Sequence, residues 1–526
     1  MKDISTDLLV IGGGATGAGV AWDAALRGYR TVLADSLDLG QGTSGRFHGM
    51  LHSGGRYAVK DPRAARECID ENKILRKVAT ATIEDTGGLF VSTPQDPIEF
   101  GDELLQGCRD TGVPIAEIDP AEVLRDEPRL DPRIKRAFTV PDASIDAWKL
   151  LNALADGVRA RAGTVLTYHR CIAVHRDGDE VTGAMLRDVR SGEEVRVHAR
   201  FTINAAGAWA GQIADLAGIE GVHIVPGRGI MIAMNHRIVN TVVNRCARPA
   251  DGDILVPIRT VSVIGTTDVH SDSPDDLTVD QAEVDQMLDA GEVMVPGFRD
   301  SRALRVWAGV RPLFEDKKQD EASNRDISRA HALLDHAQRD GVGGFITITG
   351  GKLTTFRLMA EEAVNAMCAQ LGDDRACTTA KTPLPGSEAG DYYDVGARLR
   401  NRERRGELTS PGNELICECE LISREKLVTE MESSGTTNLD DIRRALRLAM
   451  GPCQGGFCIY RATGLLHAVD GLDNVQANRS LREFLDERWR GSWPILHGDQ
   501  LRQSRLDDWI YQGLLDVEHL PASDSA

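Results

Sequence analysis

Four cysteines near the C-terminal end have the types and spacing to do chemistry. Cys417 and Cys419 stand as C-x-C in ICECE; after a gap of 33 residues Cys453 and Cys458 stand as C-x4-C in GPCQGGFC. Thiolates gathered in two tight pairs suit a metal ion or an iron–sulfur cluster. Structural zinc more often takes pairs from C-x2-C to C-x4-C, and a C-x-C pair is less usual for it. Gly455 and Gly456, between the second pair, would let backbone N–H groups reach cluster sulfurs. The quartet predicts a [2Fe–2S] site, with zinc or an empty site as the alternatives.

At the opposite end, Gly12-Gly13-Gly14-Ala15-Thr16-Gly17 follow a short apolar run and open a small-residue segment. The first glycine permits a tight turn, the second lets backbone approach a pyrophosphate, and the third allows close helix–strand packing. The helix N-terminus then presents free N–H groups to phosphates. Asp35, 23 residues after Gly12, stands where an acid would bind ribose hydroxyls. Two later segments, Asn204 to Gly207 (with Ala206) and Thr349-Gly350-Gly351, also end apolar runs in glycines. Three glycine turns on one sheet favour a long, extended cofactor, FAD, over NAD. A flavin taking electrons in pairs and a thiolate site passing them singly together suggest redox chemistry.

The elements that must position these groups are legible as patterns. Residues 6–11 read as a buried parallel strand, followed by a helix to about Arg27 that Gly28 ends, and a second strand over 30–35. That is a complete βαβ opening. A charge-rich helix is predicted over about 62–79, and further strands of the same sheet at 201–207 and 345–351. An amphipathic helix over 358–371 closes the domain, and another is predicted at about 439–449. Around 382–413 the chain turns to Pro, Gly and charge, which predicts a linker whose Arg-rich part is a solvated helix.

At 526 residues the chain exceeds a single core, so two or three domains are expected. The division is 1–380 for an FAD-dependent oxidoreductase domain with an inserted substrate-binding domain, 381–413 for a linker, 414–475 for the [2Fe–2S] domain, and 476–526 for a helical extension that covers the cluster or faces a partner. The fold class is α/β: a doubly wound parallel sheet with an inserted antiparallel substrate domain and a small, mainly helical C-terminal domain.

A net charge of −19 argues against a nucleic-acid partner. Of 61 basic residues only 11 are Lys, which fits either a salt-rich cytoplasm or a GC-rich genome. The six cysteines outside the quartet have no disulfide-framework spacing, the opening residues carry no signal peptide, and no stretch reads as a membrane span. A cytoplasmic protein is expected, held to a membrane only through partners.

Together the segments resemble the FAD-dependent glycerol-3-phosphate dehydrogenase family. The resemblance rests on Gly12 to Gly17 with Asp35, His52-Ser53-Gly-Gly-Arg56-Tyr57, Ile264-Gly-Thr-Thr-Asp268, Ala308-Gly-Val-Arg311-Pro-Leu313 and Gly350-Gly351-Lys352-Leu353-Thr354-Thr355-Phe356-Arg357, in the family's order. The C-terminal cysteine segment is similar to that of the catalytic component, lettered A, of the anaerobic enzymes, and resembles a bacterioferritin-associated-ferredoxin domain. The resemblance implies oxidation of sn-glycerol 3-phosphate to dihydroxyacetone phosphate by hydride transfer to FAD, with electrons passing through B and C subunits to a membrane quinone. It implies substrate binding by Arg56, Tyr57, Arg311, Lys352 and Arg329, catalytic parts for His52, Arg311 and Lys352, and FAD contacts that add Ser44, Gly45, His52, Ser53, Ala206, Gly207, Gly350, Gly351, Lys352, Leu353 and Thr354 to the opening loop.

A cluster of guanidinium groups is what a phosphate dianion requires on a protein of net negative charge, because the planar fork binds two oxygens at once. One departure stands out. Where respiratory and oxidase-type relatives place a His after a Lys-Gly-Ser segment, this chain reads Gly227-Arg228-Gly229-Ile230-Met231, and Met231 cannot take a proton. His52 is then the expected general base, unless it only contacts the isoalloxazine, and Arg228 is expected to share the anion binding. The alternatives are an oxidoreductase of the same fold acting on an amino acid or hydroxy acid, and a non-catalytic relay subunit.

Overall fold

The protein is described from a computed structural model that covers residues 2–314, 331–404, 406–407, 413–469 and 471–516. The opening βαβ unit forms as its pattern predicts: a strand over Lys2–Ile11, a helix over Ala15–Leu26 and a strand over Thr31–Ala34. Lys2–Ile11 pairs in parallel with Thr31–Ala34 on one side and Glu194–Asn204 on the other, and Phe345–Gly350 adds in parallel beyond Asn204. Strands separated by more than a hundred residues thus end side by side. Their carboxyl ends carry Gly12, Ala205-Ala206-Gly207 and Gly350-Gly351 to one edge of the sheet.

The first helix is built of small residues and is buried on nearly every side. Smallness is required: a Cβ at Gly19 would lie 2.8 Å from the Phe356 ring of the Phe356–Leu371 helix packed against it. Asp23, on the same helix, is fully buried and held by Arg27 at 2.6 Å. Leu8, Val10, Phe201, Ile346, Phe356 and Met359 belong to the core between sheet and helices. Each such side chain contributes about 1.5–3 kcal/mol by leaving water.

The inserted domain is a nine-stranded sheet. Its longest pairing joins Ile224–Met234 to Ala303–Phe314 in antiparallel register, and the Gln281–Met294 helix covers one face. One pair departs from the antiparallel expectation: Gly88–Ser92 runs parallel to Val242–Arg245. The sheet is therefore mixed, because those two strands arrive from distant parts of the chain and not through a hairpin.

The segment expected as a linker is packed along much of its length. Leu384 is buried in the first core, Tyr393 N–H donates to Ile83 O, and Arg402, on the short Arg398–Arg404 helix, is buried and donates to Asn413 O at 3.1 Å. The C-terminal part is mainly helical, with helices at Arg424–Ser434, Leu439–Leu446, Ile459–Val469, Asn474–Ser492 and Gly498–Asp508. Leu481, Phe484 and Tyr511, from the segment expected as a separate extension, lie in the same core as Cys417 and Cys458. Among the described residues no helix is long and apolar enough to cross a membrane.

Candidate functional site

The glycine loop has the form of a phosphate cradle. Gly12 sits at φ +112°, and a Cβ there would approach Ala205 O to 2.5 Å; a Cβ at Gly17 would meet Gly12 O at 1.8 Å. Only glycine fits either position. Ser44 Oγ accepts from Ala15 N–H at 2.9 Å, which ties the 43–45 turn to the first turn of the helix. Asp35 takes the Gly13 N–H at 2.6 Å and the Leu37 N–H at 2.9 Å. Burial nevertheless pushes its carboxyl up to about 6, and a ribose hydroxyl donating to it would favour the charged form. Thr349 Oγ1 donates to Gly207 O at 3.2 Å, so the second and third glycine turns adjoin. Cradle, acid and paired turns fit an extended dinucleotide such as FAD.

Beyond this edge, the structure gathers several of the residues singled out in the sequence. The His52 and Tyr57 rings lie 5.4 Å apart, and Lys352 Nζ stands 4.8 Å from the centre of the Tyr57 ring. His52 N–H donates to Thr354 Oγ1 at 3.1 Å, and Ser53 N–H to buried Asp142 at 2.6 Å. Gly54, at φ +99°, gives the turn that sends Arg56 and Tyr57 back over the strand end.

The two arginines are each held by a carboxylate the sequence reading did not single out. Arg56 Nη1 meets Asp253 at 2.7 Å; burial opposes the charge, and Asp253 more than offsets it, so the guanidinium is held up. Arg311 Nη1 meets Asp268 at 2.9 Å while Nη2 donates to Thr266 Oγ1 and to Thr267 O. Gly252 N–H donates to Thr266 O at 3.3 Å, which connects the two arrangements. Arg329 lies outside the described residues.

Arg228 does not share the anion binding expected of it. In the register of the paired strands, Arg311 stands opposite Gly227 and Arg228 opposite Val310. Side chains alternate between faces, so Arg228 projects on the side away from Arg311. There it is buried against Glu283 at 2.9 Å, with Asp276 and Asp280 near. Met231 does lie on the Arg311 face, buried beside Val263 and Trp307. A Cβ placed on Gly265 would touch both Met231 (3.0 Å) and His48 (3.3 Å), so His48 fills the space beside Met231. The His48 and His52 rings meet edge to face at 5.7 Å. His48 escaped the sequence reading, although its spacing from His52 across the short Met50–Leu51 strand places both on one face.

The cysteines meet as two pairs drawn from both motifs. Cys419 Sγ lies 3.8 Å from Cys453 Sγ, and Cys458 is the hydrogen-bond partner of Cys417. The bond from Cys419 holds the Cys453 thiol down to about 6 against the opposing effect of burial. No group of three or more metal-binding side chains that could hold one metal ion is assembled among the described residues. The donor chemistry, two sulfurs and two more on a single apolar core, fits a two-iron cluster better than a mononuclear site.

Comparison with known proteins agrees with this layout. Residues 7–357 match the family model described as FAD dependent oxidoreductase. The chain is 42% identical to the A component of anaerobic glycerol-3-phosphate dehydrogenase from Escherichia coli, over 98% of its own length and 97% of that protein's. It is 40% identical to the A1 component of the same enzyme from Haloferax volcanii, over 99% and 92%. Its fold is that of a glycerol-3-phosphate dehydrogenase from Bacillus halodurans solved with FAD, at a TM-score of 0.66 and 21% identity, over 94% of this chain and 96% of that one.

Proposed function

Because the chain belongs to the FAD dependent oxidoreductase family and its full-length relatives are the A components of anaerobic glycerol-3-phosphate dehydrogenases, we propose that it oxidises sn-glycerol 3-phosphate to dihydroxyacetone phosphate. The observation that carries this is the convergence of Lys352, Tyr57 and His52 beside two carboxylate-held arginines at the glycine-lined edge of the sheet. FAD, held by Gly12 to Gly17, Asp35, Ser44, Gly207 and Gly350-Gly351, supplies the hydride acceptor when bound.

Arg311 and Lys352 bring positive charge to the phosphate of the substrate, and Asp268 with Thr266 and Thr267 keeps the Arg311 fork in one orientation. Asp253 takes Nη1 of Arg56, which fixes that side chain as well. Preorganised charges of this kind lower the barrier because no reorientation is needed during reaction. His52 takes the hydroxyl proton, a task for which an imidazole is suited near neutral pH. Its backbone is pinned to Thr354 and its ring lies against Tyr57. Cys417, Cys419, Cys453 and Cys458 would hold a [2Fe–2S] cluster, which would supply one-electron chemistry when bound. Partner subunits carry them to a membrane quinone and supply the membrane attachment.

Anaerobic titration of the purified chain with glycerol 3-phosphate tests the reading: the flavin band should bleach, and lactate or glycine should leave it unchanged. Arg311→Ala should abolish the bleaching. Equal bleaching by lactate or glycine, or full bleaching of the variant, defeats the proposal.

A further inference from the structure

A cavity of about 140 Å³ lies where the flavin-loop segment, the inserted sheet and the cysteine domain meet; Arg311, Arg56, Tyr57 and Lys352 do not line it, and His48 stands between it and His52. On the face of the Ala303–Phe314 strand that carries Arg311, the residues at two-residue steps are Gly309, Trp307 and Arg305. Gly309 is pressed against Arg46 O, where a Cβ would come to 2.2 Å, so this contact lies between the cavity-lining part of the strand and Arg311. Trp307 and Arg305 line the cavity, about 13–20 Å along the strand from Arg311.

Five guanidinium groups reach its wall: Arg46, Arg305, Arg443, Arg444 and Arg447. Only three carboxylates do, Asp146, Asp440 and Glu487. Four of the arginines are matched, Arg305 by Glu487, Arg443 by Asp440, Arg444 by Asp440, Asp441 and Asp38, and Arg447 by Asp146 and Glu420. Arg46 is different. Its Nε donates to Gln41 O at 2.7 Å, and no carboxylate among the described residues lies within ion-pair distance of it. Burial lowers its pKa, and burial with Arg443 nearby pushes Arg305 down to about 10. The lining also includes the apolar side chains of Phe47, Trp148, Val261, Val263 and Trp307.

A half-buried cation with no carboxylate at ion-pair distance, its charge offset only through space by Glu487, suits an anion carried on a flat apolar group. A cavity of about 150 Å³ admits a benzene ring. We propose that this junction cavity binds a small oxyanion-bearing ring compound, with Arg46 holding the oxyanion and Trp148 and Trp307 flanking the ring. Because the cavity is walled by both the flavin-loop segment and the cysteine domain, including Gln454 next to Cys453, its occupant also stabilises the docking of the two.

Calorimetric titration of the oxidised holoenzyme with phenyl phosphate and with benzoate tests the site. Binding is expected for at least one probe, and which one binds identifies the oxyanion as phosphate or carboxylate. The same binding should persist in Arg311→Gln, weaken at least tenfold in Arg46→Gln, and partly return in Arg46→Lys. Val263→Phe, which fills the cavity and leaves the charges in place, should also block it if Arg46→Gln does not fold. Absence of binding by both probes, wild-type binding in a folded Arg46→Gln or Val263→Phe variant, or loss of binding in Arg311→Gln overturns the proposal. The last result would place the anion in the substrate pocket and leave the proposed dehydrogenase activity standing.

Discussion

His52 and Thr354, 302 residues apart in sequence, are joined by a hydrogen bond from the His52 N–H to Thr354 Oγ1 at 3.1 Å. The bond ties the segment that carries His52, Arg56 and Tyr57 to the turn that carries Lys352. Neither half of the site is positioned without the other.

Replacing Thr354 with Val keeps its shape and leaves the His52 N–H unmatched in a buried setting. A lost bond of this kind costs about 1–3 kcal/mol. If it is spent on displacing His52, kcat/KM for glycerol 3-phosphate falls roughly tenfold or more, by the same arithmetic of barriers. Thr354→Ser, which retains the hydroxyl, should recover most of the rate. Steady-state kinetics on the two variants decide this; a Val variant with wild-type kcat/KM shows that the bond positions nothing.

A buried pair at the helix contact predicts a large stability change. Arg357 clasps Glu71 through two bonds, 2.8 and 2.5 Å, and joins the Pro62–Val78 helix to the Phe356–Leu371 helix. Arg357→Met strands the Glu71 carboxylate and should cost about 3–5 kcal/mol. Adding Glu71→Gln removes the stranded charge and should restore a good part of that. Denaturant unfolding of both variants is the measurement, and an additive double variant contradicts the pairing.

The glycine loop and the opening βαβ unit were legible because each needs only residues close in sequence. Gly12 and Gly17 meet within a single turn, and the run of buried positions in 6–11 reports a strand with both faces covered. What stayed hidden depends on register between distant strands. Nothing near Arg228 reveals that it faces Glu283, since that follows from its standing opposite Val310. Asp253 and Asp268 likewise read as ordinary acids until folding sets them against Arg56 and Arg311. Leu384 looked like part of a linker because its neighbours are Pro, Gly and Ser, and one apolar anchor is enough to fasten such a segment to a core.

Asp142 sets a pH dependence with a definite sign. It is fully buried, holds Ser53 N–H, and burial pushes its carboxyl from 3.8 up to about 6. Between those values the folded chain keeps a proton that the unfolded chain has lost, so stability falls as pH rises through that window. The full loss from this group is on the order of 3 kcal/mol. In Asp142→Asn the carbonyl can keep the Ser53 bond; the new amide replaces the oxygen that accepts from Asn244 Nδ2, and a turn of the Asn244 amide brings its otherwise unpartnered Oδ1 round to accept from it. Melting temperatures measured from pH 4 to 7 should therefore decline less steeply in the variant. Parallel curves for the two proteins would refute this account; Asp35, also near 6, keeps part of the slope in both.

The paired sulfurs make the last prediction. Two irons bridged by sulfide need two thiolates each, and Cys419 with Cys453 and Cys417 with Cys458 supply two pairs from one domain core. Anaerobically purified chain should contain two irons and absorb beyond the flavin bands. Cys453→Ser removes one of the four proposed ligands, so iron and that absorption should both disappear. Bleaching of the flavin by glycerol 3-phosphate should survive, because Tyr57, Lys352 and Arg311 lie in the other domains, while turnover with a one-electron acceptor should drop at least tenfold. Since Cys417 and Cys458 are themselves core residues, removal of iron by a chelator should lower the melting temperature of the C-terminal part first. Zinc in place of iron, or a Cys453→Ser variant with undiminished one-electron turnover, removes the cluster from the pathway.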